Sequence, residues 1–119
     1  ALMQGRAIRV FGDGEQLRGM TYVDDVARAN MLACEADCVG ETFNIGGGSS
    51  ITVNQLIGHL QTITGKKAEL NYVDHAKGDA LNTLADIAKA KREMGWQPEM
   101  ETTVGLDNTV SSMGAIYWD

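Results

Sequence analysis

Apolar and polar positions along the chain fall into two rhythms. Short runs rich in Val, Ile, Tyr and Phe predict strands over Ala7–Phe11 (AIRVF), Met20–Val23 (MTYV), Glu41–Ile45 (ETFNI) and Ala68–Val73 (AELNYV). The first two are bracketed by the Gly12-Asp13-Gly14 turn. Three- and four-residue spacing predicts helices elsewhere. The clearest runs from Thr52 to Gly65, where Val53, Leu56, Ile57, Leu60 and Ile63 form one apolar stripe. Thr52 is placed to cap its start and Gly65 to stop it, and His59, off the stripe, is expected in solvent. Asp24 is expected to cap an earlier helix through DVARANMLACEA, after which Gly40 resets the chain. A short helix, DIAKAKREMG, is expected to be capped by Asp86 and ended by Gly95, with the single proline, Pro98, just beyond. After Thr103, the residues Leu106, Val110, Met113 and Tyr117 share one face of a last helix, a stripe of the kind that faces a core.

Strands mixed with helices make this an α/β chain, without a repeated βαβ rhythm. Its 119 residues, 44% of them hydrophobic, suit one domain spanning 1–119 around one core. Only about four short strands are offered and the chain opens directly on one, so it reads as the later part of something larger.

Charge narrows the partners. Ten Lys and Arg face 16 Asp and Glu, giving a net charge of -6 and a pI near 4.8. Such a surface repels a phosphate backbone, and nucleic acid is not an expected partner. No apolar run approaches the roughly 18 residues of a membrane span, and ALMQGRAIRV lacks the apolar region of a secretory signal. Cytoplasmic residence without a membrane partner is the expectation. Cys34 and Cys38 sit four apart in a helical pattern; neither they nor His59 and His75 have zinc-site spacing, so no metal is expected and both thiols are read as reduced and buried or half-buried.

Two glycine clusters invite comparison with a dinucleotide loop, since glycine lets backbone amides approach an anion at a helix start. In GDGEQL the third glycine position is Leu17, and a strand-like segment follows where a helix is needed. In GGGSSI the third position, counted from Gly46, is Ile51. Both read as tight turns. There is no G-x-S-x-G elbow, and no tyrosine precedes a lysine by four: Tyr22 leads to Val26 and Tyr72 to Ala76. No catalytic residue is assigned. Arg18 stands out, because a cation between two apolar segments needs a counter-charge and none lies nearby on the same face. A ligand would supply one. The competing account is an ion pair with Asp24, Asp25 or a remote carboxylate.

Taken together and in order, VFGDGEQLRGMTYVDDVARAN, GETFNIGGGSSITVNQLI, KGD, LADIAKAKREMGWQP and TVGLDNTV resemble the C-terminal part of the extended short-chain dehydrogenase/reductases, specifically the nucleotide-sugar epimerases and dehydratases. The resemblance covers nearly the whole chain. It implies the α/β substrate-binding portion of an NAD(P)-dependent enzyme, lacking most of the Rossmann domain, since the family's G-x-x-G-x-x-G loop and Tyr-x-x-x-Lys pair are both absent here. It further implies that Arg18 contacts the diphosphate of a nucleoside diphosphate sugar, that Met20 and Val53 line the nucleotide, and that Asp79 accepts from ribose hydroxyls. A guanidinium suits the first role through its fork of charge-assisted donors, and a carboxylate the last through its two acceptor oxygens. Two positions depart from the family: Gly19 stands where an aspartate usually follows the arginine, and Ala76 where a second arginine usually stands, with Lys77 adjacent as a point charge.

Two accounts follow. The first is a nucleotide-sugar-binding portion that binds no cofactor alone, is not catalytic alone, and has the missing Rossmann portion as its partner. The second is a non-catalytic module of the same descent that forms a homo-oligomer, because segments that would cover the cofactor domain otherwise expose apolar surface.

Overall fold

The structure is a computed structural model describing residues 1–75 and 77–117, with side chains to residue 114. In chain order the elements are β1 (Ile8–Phe11), β2 (Leu17–Gly19), α1 (Val23–Glu35), β3 (Ser50–Thr52), α2 (Val53–Thr64), β4 (Leu70–Val73), β5 (Asn82–Thr83), α3 (Ala88–Met94) and α4 (Thr102–Tyr117). Two small sheets result. β1 and β4 pair in parallel with Ile8 opposite Leu70, and β2 lies between β3, antiparallel, and β5, parallel. Arg18 thus sits in a central strand, opposite Ile51 on one side and Thr83 on the other.

α2 follows from its sequence. The Gln55 amide donates to Thr52 Oγ1 and the Thr52 amide donates back to Gln55 Oε1, both at 3.0 Å, a reciprocal cap that satisfies two otherwise orphaned donors. At the far end Gly65 adopts φ 65°, the left-handed conformation that glycine enters without strain. α2 packs against α4 and keeps its stripe half-buried, with Ile57 buried. α3 begins after Ile87, and Asp86 supplies its carboxylate to the Ala88 amide at 2.9 Å.

The interior centres on Trp96, fully buried with Ala29, Ala90 and Met94, and flanked by Leu32, Phe43, Ile45 and Ile87. Its indole N–H donates to the Asp25 carbonyl at 2.9 Å. The Asp25 carboxylate accepts from the amides of Glu99 and Met100, each at 3.0 Å, and pairs with Arg28 at 3.2 Å. Arg28 also reaches the Gln97 carbonyl and the Glu99 carboxylate. Burial alone would raise the Asp25 carboxyl, but the two amides and Arg28 outweigh it and hold the pKa below its ordinary value. α1 is thereby stitched to the linker that leads into α4.

Several expected elements come out differently. The strand expected at MTYV is instead β2, three residues earlier in the chain, because β3 and β5 offer pairing only as far as Gly19; α1 then starts at Val23. Tyr22, not Asp24, is the residue before α1, and it makes no side-chain cap; the acidic pair Asp24 and Asp25 lies in the first turn, where it favours the helix dipole. ETFNI forms no strand: no described strand runs beside it, and Phe43 and Ile45 pack on the Trp96 cluster instead. Cys38 lies beyond the end of α1 and packs against that cluster, while Cys34 is exposed. His59 is half-buried. The stripe on α4 is no core seam, since Leu106 and Val110 are half-buried and Met113 is 43% exposed; the Tyr117 side chain lies outside the described residues.

The molecule is a slab of 49 × 37 × 19 Å. Val23, Met31, Leu81, Leu84 and Val104 are each more than half exposed on it. Among the described residues no helix is long and apolar enough to cross a membrane.

Candidate functional site

Three short strands and one loop build the site. β2 carries Arg18 at its centre, and the connection from β4 to β5 carries Asp79 to it. Arg18 Nη2 donates to Asp79 Oδ1 at 2.7 Å, while Nη1 donates to the carbonyls of Leu17 and Ala80, both at 2.9 Å. The side chains remain partly open to solvent, 26% for Arg18 and 31% for Asp79. The counter-charge of Arg18 is therefore a remote carboxylate: Asp25 is committed to the interior, and Asp79 supplies the charge from 61 positions along the chain.

Of the other expected residues, Met20 follows β2 and is half-buried in the wall of a cleft of about 230 Å³ with Tyr22, Met100, Gly105 and Leu106. Val53 opens α2, half-buried, and its amide donates to the Gln16 carbonyl at 3.3 Å. Arg18 and Asp79 are thus brought into contact; Met20 just after β2 and Val53 beside Gln16 just before it take no part in the ion pair.

A second cleft, of about 430 Å³, opens beyond the carboxyl ends of the parallel strands β2 and β5, where α/β sheets commonly receive ligands. Gly19, Thr21, Gly46, Gly47, Asn82 and Leu84 are in its wall. Gly47 has to be glycine, because a Cβ there would collide with the Met20 carbonyl. Sequence reasoning missed this cleft. Asn82 and Leu84 lie in a part of the chain for which the sequence predicts no element, and their place beside Gly19 depends on β5 joining β2.

The glycine-rich segment before α2 does not leave the helix start free for an anion. The amides of Val53, Asn54 and Gln55 donate to the Gln16 carbonyl, the Gly14 carbonyl and Thr52 Oγ1 respectively. A dinucleotide pyrophosphate needs such amides unengaged, so these residues do not fit that group. Among the described residues no three Cys, His, Asp or Glu side chains gather as metal ligands.

Comparison with known proteins extends this geometry. The family model described as GDP-mannose 4,6 dehydratase matches residues 1–109. A UDP-glucuronate 4-epimerase from Thermodesulfobacterium geofontis is 40% identical over 112 residues, which cover 92% of this chain and 34% of that protein. Among solved structures, UDP-glucose 4-epimerase from Thermotoga maritima with UDP-glucose is 43% identical, with a TM-score of 0.88 over 96% of this chain and 37% of that one. UDP-glucuronic acid 4-epimerase from Bacillus cereus, in complex with UDP-glucuronic acid and NAD, is 32% identical, with a TM-score of 0.89 over 97% of this chain and 37% of that one. The chain spans about a third of the length of the curated relatives it matches.

Proposed function

The chain belongs to the GDP-mannose 4,6 dehydratase family, among the NAD-dependent nucleotide-sugar epimerases and dehydratases, and on that premise we propose that these residues are the nucleotide-sugar-binding C-terminal portion of such an enzyme, not catalytic alone. Arg18 binds the diphosphate, Asp79 accepts from ribose hydroxyls, and Met20 and Val53 line the nucleotide. A single observation carries this reading: β2 and the loop before β5, far apart in sequence, deliver a cation and a carboxylate to one half-exposed spot. A guanidinium there offers directed, charge-assisted donors to phosphate oxygens. Uridine diphosphate is the carrier named for several relatives and is the first ligand to try. We place the NAD pocket outside these residues. The engaged amides at the start of α2 support that placement, as does the absence of the cofactor loop from the sequence.

Titration of UDP and UDP-glucose by calorimetry at low salt tests the assignment. Arg18→Ala removes a charged donor worth about 1.5 to 3 kcal/mol, or roughly 10- to 150-fold in affinity. Arg18→Lys keeps the charge without the fork and recovers part of the loss. Equal binding by all three proteins would return Arg18 to a structural role. NAD titrated into the same chain should give no heat, and micromolar binding would move the cofactor site into these residues.

A second reading rests on the apolar residues exposed on the slab, Val23, Met31, Leu81, Leu84 and Val104. Apolar surface of this kind calls for a cover, either the rest of the enzyme or a second copy of this chain. Sedimentation separates the two: a monomer at all concentrations counts against self-association.

A further inference from the structure

We propose that Arg18 and Asp79 form an exchangeable pair that selects ligands carrying both an anion and hydroxyl groups. The anion takes Arg18 from Asp79, and hydroxyls of the same ligand then satisfy the released carboxylate. This rests on the reading of Arg18 and Asp79 given above and adds a selection step to it.

The geometry separates what is fixed from what can move. Arg18 Nη1 is held by two backbone carbonyls, those of Leu17 and Ala80. Nη2 is held by the side chain of Asp79. An incoming phosphate oxygen can therefore replace Asp79 at Nη2 while both backbone bonds stay in place, and the guanidinium keeps its orientation through the exchange. Both side chains are partly open to solvent, so the ligand can reach them, and an ion pair in that setting is a weak competitor. Gly19, next in the strand, puts no second carboxylate beside the guanidinium.

The cost of the exchange falls on Asp79. Once Nη2 turns to an anion, the carboxylate has lost its charged donor and faces a like charge nearby, a repulsion that opposes binding. Bare pyrophosphate leaves it so. A nucleoside diphosphate brings ribose hydroxyls, each able to donate to a carboxylate oxygen, and the lost bond is replaced. The pair thus discriminates against anions that lack a hydroxylated arm.

Calorimetry with three probes tests this: inorganic pyrophosphate, UDP, and 2′,3′-dideoxyuridine 5′-diphosphate, each titrated into wild type, Asp79→Ala, Asp79→Asn and Arg18→Ala. Pyrophosphate should bind both Asp79 variants about 3- to 5-fold more tightly than wild type, because its competitor is gone. The near-isosteric Asn guards against a change in loop structure. Loss of the ribose hydroxyls should weaken the nucleotide about tenfold toward wild type but less than about twofold toward Asp79→Ala. Weaker pyrophosphate binding by both Asp79 variants would show that Asp79 positions Arg18 and does not compete for the anion, and would overturn the exchange alone. An equal hydroxyl penalty in wild type and Asp79→Ala would do the same. An Arg18→Ala protein that matches wild type toward all three probes, including no binding by either, would overturn the exchange together with the diphosphate reading beneath it.

Discussion

Asp25 and Asp79 both join distant parts of the chain, and they do so in opposite settings. Asp25 is 4% exposed and accepts from backbone amides 74 and 75 positions away, with Arg28 alongside. Asp79 has a side chain 31% exposed and accepts from a side chain 61 positions away. A buried carboxylate with backbone donors has nowhere else to turn, because leaving it or its donors unpaired in a low-dielectric interior is costly. A half-exposed carboxylate paired with a side chain can trade that partner for water or a ligand at little cost. The same residue type thus serves as architecture in one region and, in the proposed function, as a recognition element in the other, and burial separates the two.

The largest losses are expected at the interior. Trp96→Ala should cost about 3 to 5 kcal/mol in denaturant unfolding, since it empties the centre of the cluster and removes the bond to the Asp25 carbonyl. A loss under about 1 kcal/mol would mean that this region is no core. Asp25→Ala should cost about 2 to 3 kcal/mol, because two linker amides lose their acceptor and Arg28 loses a buried counter-charge. It also carries a pH signature. The folded carboxyl titrates below its ordinary value of 3.8, so its stabilisation is fully present above that value and is lost as pH falls through the lower folded pKa. Wild type should therefore lose stability in acid more steeply than Asp25→Ala, measured as Tm from pH 5 downward; parallel curves would sink the clamp.

Smaller effects sharpen the contrast. Leu106→Ala, in the half-buried stripe of α4, should cost about 1 to 2 kcal/mol, below the range of a fully buried leucine. An unchanged denaturation midpoint would show that α4 is undocked. At the surface pair, Asp79→Asn should change unfolding stability by less than about 1 kcal/mol while altering ligand affinity. A loss as large as that of Asp25→Ala would make the two aspartates alike and end the comparison.

Local chemistry was legible wherever neighbours in sequence are neighbours in space. α2 shows this most fully: Thr52, Gln55 and Gly65 set its ends through contacts within four residues or through one glycine's backbone freedom. The Asp86 carboxylate at the start of α3 is of the same kind. Strands were less legible, since a strand exists only beside another. MTYV and ETFNI have the composition of strands, yet pairing with β3 ends at Gly19, pairing with β5 ends at Arg18, and no described strand meets Glu41–Ile45.

By itself the sequence determined the α/β character, the capped helix α2, an acidic surface, and through its ordered motifs the family; it also singled out Arg18 and Asp79, whose ligand roles belong to the proposed function. It did not determine that these two meet, that Trp96 is the centre of the interior, or that Asp25 turns inward to hold the linker before α4. Those are contacts across 61 to 75 positions. Spacing along a helix or strand carries no information at such range. Closing loops of that length is repaid only when many contacts form together, so the tertiary structure alone decides which carboxylate is buried among amides and which is left at the surface facing an arginine.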